Sequence, residues 1–342
     1  MGVMRVGLMG LGRGGRRIAQ ILRQSSWCEL TAVASQKSKA IEQFAAEHPG
    51  VTTYDDFRSM IVASPLDALF VAAPPYQRVK YLPLAAERKI PVWMLSPAMR
   101  QFAEAVELMD RFEKAECPIA VSRSWGVEPA MQPDSLALEQ AGKFFLGRGE
   151  AMICWDDDLD WRGDSQRAGG GVLLYRAYTV VDALVQAMGT PNQVYARMAG
   201  VSRPGGRFPY DTEDTAGLVC QFPGGGVAVV TTCWTAGPTA TTLVLFGTGV
   251  SIHIEPEQIV VRDRTGTKVL SRRERSPNPL QPQIEGFLSE LAASPRRIRA
   301  TLRQHLPTMA VIQAAYLSAQ TGQPESPARL FAMHNLGAPR SG

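Results

Sequence analysis

Three glycines and a short polar run carry the first chemical hint in this chain. GLGRGG places Gly10, Gly12 and Gly15 at GxGxxG spacing, between the apolar stretch VMRVGLM and the helical stretch RRIAQILRQ. In that context each glycine has a job. Gly10 permits a tight turn, Gly12 lets the backbone approach a pyrophosphate, and Gly15 lets the helix pack on the strand. The N–H groups and partial positive charge at the start of the helix favour phosphate. Gly10, Leu11, Gly12, Arg13, Gly14 and Gly15 are therefore the expected phosphate loop of a dinucleotide site. About 20 residues beyond such a loop, an NAD site places Asp or Glu on the ribose 2′-hydroxyl. Here the run is ASQKSKA, with Ser35, Gln36, Lys37, Ser38 and Lys39 and no carboxylate. Hydroxyls and ammonium groups suit a 2′-phosphate, and Arg13 adds a planar cation. NADP(H) is thus favoured over NAD(H). The alternative for Lys37 and Lys39 is a solvated first turn of the next helix.

Two further strand ends belong to the same expected site. LDALFVAA runs into Ala73-Pro74-Pro75, and VWML runs into Ser96-Pro97. Ala73, Pro74, Ser96 and Pro97 are expected beside the dinucleotide. None of them is a strong acid, base or cation, so the usual proton chemistry has no obvious carrier there. Seven lysines stand in the chain. Lys89, the one nearest in sequence before this strand, lies at its wrong end, and Arg100 beyond it stays protonated and is a poor proton shuttle.

The elements that position these residues follow from hydrophobic pattern. Residues 3–9, 29–35, 66–73, 91–95 and 118–121 are short runs, apolar on both faces, as in parallel strands covered on both sides. Amphipathic stretches separate them; in QFAEAVELMDRFEKA the apolar residues recur at steps of three and four. Together they predict a doubly wound parallel sheet over residues 1–122. From 123 to 342 the texture changes. Strand-like runs at 144–155, 217–223, 226–234, 241–247, 250–256 and 258–263 are separated by PGGG and GTG turns, which predicts a mostly antiparallel sheet. One helix is expected over 171–189 and another over 305–322, with a polar loop at 271–283. The fold class is α/β in two domains.

Composition narrows the function classes. A net charge of +4 with no long basic block gives no support for nucleic-acid binding. No apolar run reaches the roughly 20 residues of a membrane span. The chain opens directly on an apparent core strand, so no signal segment is expected. Five cysteines without a CxxC pair suit free thiols in a reducing compartment. A cytoplasmic protein is expected. His253 and Glu255 form HxE on an alternating strand, but two ligands without a third make no metal site, and no metal is expected.

The whole pattern resembles the glucose–fructose oxidoreductase and inositol dehydrogenase family, Gfo/Idh/MocA. The likeness rests on GLGRGG, the VAAPP strand end, the strand-Pro-helix at 92–100, DWRGD…AGGGVLL at 160–174 and LPTMAVIQAAYLSAQTG near the end. It implies a Rossmann domain joined to an α/β domain with a large open antiparallel sheet, which commonly pairs with another subunit. A homo-oligomer, dimer or tetramer, is expected through that sheet. The family carries Glu-Lys-Pro after the fifth strand, with the Lys acting on the substrate; here the tripeptide is Leu95-Ser96-Pro97. The family's Asp-x-Gly-x-His-x-x-Asp is here YRAYTVVD. Tyr175 stands for the Asp, Ala177 for the Gly and Thr179 for the His; Asp182 is kept. The family's Thr-Pro-Asn-x-x-His is here Ala73-Pro74-Pro75-Tyr76-Gln77-Arg78. Arg123, Trp125, Trp161, Arg162, Asp164, Tyr175, Arg176, Tyr178 and Asp182 are the expected substrate-cleft residues, with Tyr175, Tyr178 and Asp182 the best candidates for any chemistry. Tyr175 and Tyr178 are expected on one helix face.

Two functional readings follow. The chain keeps the dinucleotide site but has lost Lys- and His-dependent alcohol chemistry, and so is a sensor or pseudoenzyme. Alternatively it is an active NADPH-dependent reductase of an activated C=C, C=N or C=O small molecule, with Tyr or water as proton donor. A purely structural role is the third possibility. The ligand is not identified.

Overall fold

The structure, a computed structural model, describes residues 2–123, 140–155, 158–200, 209–255, 258–272, 280–294, 298 and 301–339. The chain divides into two compact units. The first takes Met1–Met99, Ala103–Ser122 and Pro277–His305. Its sheet has six strands: β1 (Met4–Met9), β2 (Cys28–Ala34), β3 (Thr52–Tyr54), β4 (Ala68–Val71), β5 (Val92–Met94) and β6 (Ile119–Val121). Their order is β3-β2-β1-β4-β5-β6 and every pairing is parallel. Four helices, α1 (Arg13–Gln24), α2 (Ser38–Glu47), α3 (Phe57–Ala63) and α4 (Pro75–Glu87), connect β1 to β5. The order reverses between β1 and β4, so the loops after these two strands diverge and open a crevice at their carboxyl ends. The strands are fully apolar because both faces are covered: Val6, Leu8, Ala68, Phe70 and Val33 are completely buried. Strand β3, with the sequence TTY, gave no hydrophobic run to read.

The sequence-based division placed all of 123–342 in a second domain. The chain instead returns to the first unit with Pro277–His305. The helix Gln281–Ala293 packs Ile284, Phe287, Leu288 and Leu291 into the same core as Leu8, Ile18 and Phe70. The polar loop expected at 271–283 therefore ends early. Pro282 sits in the helix's first turn, where its missing N–H costs nothing.

The second unit holds an eight-stranded sheet built from β7 (Phe144–Cys154), β8 (Gln193–Ala199), β9 (Thr215–Gln221), β10 (Val227–Cys233), β11 (Thr235–Gly247), β12 (Ser251–Ile254), β13 (Gln258–Arg262) and β14 (Thr267–Arg272). The order is β14-β13-β12-β11-β7-β10-β9-β8. All neighbours are antiparallel except β7 and β10, which run parallel. One face of β7 is made of Gly147, Gly149 and Ala151, and a helix lies against it: a Cβ on Gly149 would meet Val180 at 2.2 Å and one on Gly147 would meet Leu184 at 2.6 Å.

The single helix expected over 171–189 is two, Val172–Tyr175 and Tyr178–Met188. The carbonyl of Val172 accepts from both Arg176 N (2.8 Å) and Ala177 N (3.1 Å). That one-residue slip of the hydrogen-bond ladder is a π-type step. It breaks the regular three-residue spacing, so Tyr175 and Tyr178 do not share a helix face as expected.

Candidate functional site

The loop after β1 is held from both sides. Gly10 N donates to Ala34 O at 2.8 Å, and Ala73 N donates to Met9 O at 2.9 Å. Gly10 has φ +101°, and a Cβ there would stand 2.7 Å from Ala73 N. A Cβ on Gly15 would stand 1.9 Å from Gly10 O, whereas one on Gly12 would meet nothing within 4 Å. The packed sides of the loop thus need glycine for internal reasons, and Gly12 alone faces open space. Gly12 is also the N-cap of α1, has no side chain to satisfy the helix's first N–H groups, and no acidic residue stands in the first turn. Twelve residues of helix end in a free cradle for anion, which fits a dinucleotide pyrophosphate. Leu11 is buried and Arg13 is exposed beside the cradle. Gly14 approaches β5's exit, where its Cβ would meet Leu95 at 2.7 Å.

At the end of β2, Ser35 is buried and its Oγ accepts from Lys37 N at 3.2 Å, so its hydroxyl is part of the turn. Lys37 and Lys39 are exposed. Gln36 turns toward α4: its Oε1 accepts from Gln77 Nε2 at 2.8 Å, and its Nε2 donates to the Tyr81 hydroxyl at 3.4 Å. A cationic rim therefore remains at this corner, carried by Lys37, Lys39 and Arg13 rather than by Ser35.

The exits of β4 and β5 are joined by a residue that sequence reasoning recorded only as a lost histidine. Arg78 is 3% exposed. Its Nε donates to Ala73 O at 2.9 Å, and its Nη1 to Leu95 O and Pro97 O at 2.7 Å and to Ala98 O at 2.9 Å. One guanidinium fixes the backbone of Ala73 and of the Ser96-Pro97 turn. A signal existed in the sequence. A cation in the first turn of α4 opposes the helix dipole and so asks for another reason to be there. Ser96 is tied to β6's exit: its N donates to Ser122 Oγ at 2.8 Å.

In the second unit Asp182 is 2% exposed and fully engaged. It accepts from Thr308 Oγ1 at 2.7 Å and Gln186 Nε2 at 2.6 Å, and Arg123 Nε stands 3.7 Å away. Tyr178 is buried in the core. The Tyr175 hydroxyl donates to Ala168 O. Thr179 is half-exposed. Asp164, expected in the substrate cleft, is the N-cap of the short helix Ser165–Ala168 and accepts from Gln166 N and Arg167 N. Trp161 is buried, with Arg162 stacked 4.4 Å over its ring and 5.8 Å from Tyr175. Trp125 lies outside the described residues. His253 pairs with Ser251 Oγ at 3.0 Å.

Glu213 is a carboxylate that no motif in the sequence singles out. It accepts from Gly171 N (2.7 Å), Leu173 N (3.0 Å) and Tyr316 Oη (2.7 Å). Burial pushes its pKa up against those hydrogen bonds. Its partner Tyr316 lies 103 residues away in the chain, a pairing no local pattern reveals.

Known proteins with the same features place this arrangement. Residues 4–123 match the family model described as an oxidoreductase family with an NAD-binding Rossmann fold, and residues 137–253 match the Gfo/Idh/MocA C-terminal domain. D-xylose 1-dehydrogenase (NADP(+)) 2 of Haloferax volcanii is 26% identical over 207 residues, 58% of this chain and 63% of that protein. This chain spans a little under two thirds of the length of the curated relatives it matches. Levoglucosan dehydrogenase in complex with NADH and L-sorbose superposes with a TM-score of 0.85 at 17% identity, covering 96% of this chain and 99% of that one. The WlbA dehydrogenase of Bordetella pertussis, in complex with NADH and UDP-GlcNAcA, gives 0.80 at 17% identity over 95% and 99%.

Proposed function

This chain belongs to the Gfo/Idh/MocA family of NAD(P)-binding oxidoreductases, and from that premise we propose that it binds NADP(H) in preference to NAD(H) without the family's lysine- and histidine-dependent alcohol chemistry. The carrying observation is a contrast within the first unit. The cradle at Gly10–Gly15 keeps its packing and its open side at Gly12. The exit of β5, where the resemblance puts the Lys, holds Ser96 bound to Ser122. A serine hydroxyl does not exchange protons with a substrate alcohol near neutral pH as an amine or imidazole does.

The preference for NADP(H) is supported by exposed Lys37, Lys39 and Arg13 and by the absence of a carboxylate at the end of β2. The NADP(+)-named relative agrees with it. In this reading the cofactor, when bound, supplies hydride chemistry or a redox-state signal. The chain's own residues bind and orient it: the α1 N-terminus takes phosphate, and Arg78 fixes the two strand exits. The protein then acts as a sensor or pseudoenzyme. The second reading, an active reductase of an activated double bond, needs a proton donor. Tyr175 and Tyr178 are committed to Ala168 O and to the core, which leaves water for that role.

A cytoplasmic setting and a dimer or tetramer belong to the same proposal. Among the described residues no helix is long and apolar enough to cross a membrane. Leu146, Val219, Val227 and Val229 stand exposed on the sheet face opposite Gly147 and Gly149; a monomer by light scattering contradicts the assembly. The chemical claim is tested with NADP+ and a polyol panel on wild type and Ser96→Lys. Neither is expected to turn over, because the His position holds Thr179. Robust polyol oxidation by either overturns the proposal.

A further inference from the structure

In the second unit, the sheet face that carries Ala151 also carries Thr241, its partner in β11. The helix Tyr178–Met188 covers Gly147 and Gly149 on this face, and just before its first turn Arg176 reaches the sheet. Arg176 Nη2 donates to Thr241 Oγ1 at 2.8 Å and, more loosely, to Met152 O at 3.3 Å. Among the described residues Arg176 Nε, which is buried, finds no acceptor. Burial lowers its pKa with no carboxylate acting against that. A second donor at the same sheet end shares the condition: Trp234, which follows the Cys233 partner of Met152, is 2% exposed and its indole N–H finds no acceptor.

Two buried donor atoms without acceptors, one of them on a half-buried cation, are costly. Such a cost is tolerated where a ligand completes the arrangement. We propose that Arg176 is an anion-recognition residue, and that the second unit takes a small hydroxylated carboxylic acid whose carboxylate docks on this guanidinium. A planar guanidinium anchored at Nη2 presents Nη1 to a carboxylate oxygen in a charge-assisted hydrogen bond.

This inference deepens the functional reading by naming a ligand class, but its test uses no dinucleotide, so the two fail separately. Thermal unfolding of the purified full chain is followed with sodium D-gluconate, with D-sorbitol and with inorganic phosphate at matched ionic strength. Gluconate is expected to raise the wild-type Tm by about 2 °C or more at saturation, and sorbitol is expected not to. Without ligand, Arg176→Met is expected to unfold at or above the wild-type Tm, because a half-buried cation with a buried, unbonded Nε is replaced by an apolar side chain of similar length. That variant is expected to lose the gluconate shift, and Arg176→Lys to keep part of it. The inference is overturned if Arg176→Met unfolds several degrees lower while retaining the shift, which marks a merely structural arginine. It is equally overturned if gluconate gives no shift, if sorbitol matches it, or if phosphate alone shifts the wild type.

Discussion

Replacing Arg78 with Met separates a positioning cation from a surface one. The guanidinium is 3% exposed and donates to four backbone carbonyls at the exits of β4 and β5, at 2.7 to 2.9 Å. Charge-assisted hydrogen bonds are each worth about 1.5–3 kcal/mol net. Nε and Nη1 carry three protons between them, which suggests about 4.5–9 kcal/mol of gross interaction. The desolvation of the guanidinium offsets several kcal/mol of this. Methionine restores the apolar contacts of the stem but leaves the carbonyls of Ala73, Leu95, Pro97 and Ala98 without this donor. A net loss of about 3–4 kcal/mol is expected. Urea unfolding followed by tryptophan fluorescence reads it, with Arg88→Met, an exposed arginine at the end of the same helix, as a control expected to change by under about 0.5 kcal/mol. Arg78→Lys is expected to fall between the two, because an ammonium cannot span Ala73 and Pro97 as a fork does. Because the two strand exits border the Gly10–Gly15 loop, NADPH affinity is expected to fall as well. A loss below about 1 kcal/mol together with unchanged NADPH affinity refutes the reasoning.

The glycine loop makes an opposite pair of expectations. Gly15→Ala drives a Cβ to 1.9 Å from Gly10 O and is expected to yield little folded protein, read as soluble yield and Tm. Gly12→Ala meets nothing within 4 Å, so its Tm should stay near wild type while NADPH affinity drops by about tenfold or more. Glu213 sets a pH expectation. Burial raises its folded pKa above the unfolded value, so its stabilising contribution is full below the ordinary carboxylate value and is lost as pH rises through the raised one. Glu213→Gln removes that loss. Its stability relative to wild type should therefore increase as pH rises from about 4 toward 7 in urea melts; a constant difference between the two curves contradicts the assigned shift.

How much of this was legible in the sequence depended on whether the determining contacts were local. Five of the six parallel strands showed through because strands such as ALFV are buried on both faces and carry no alternation to confuse them; β3, with TTY, did not. The glycine loop was legible because backbone geometry restricts residue type there. The helix Gln281–Ala293 was hidden by its own proline-rich entry, and its place in the first unit depends on Phe70 and Leu8, more than 200 residues earlier. The break after Tyr175 follows from one shared carbonyl on Val172, which no hydrophobic period records. Asp182 reads as the one kept residue of its motif and a candidate for chemistry, but only the fold shows it buried against Thr308 and Gln186. Arg78 read as a loss, since its value lies in four carbonyls that only the fold brings together.

Cofactor binding is the most direct test of the proposed reading, a dinucleotide site without the family's proton carriers. Calorimetric titration of the purified protein with NADPH and NADH measures this without assuming a substrate. Micromolar binding, tighter for NADPH and weakened when Lys37 and Lys39 are both changed to Ala, is the expected result. Absence of binding of either nucleotide at millimolar concentration contradicts the account, and a preference for NADH contradicts its assignment of the cationic corner at the end of β2.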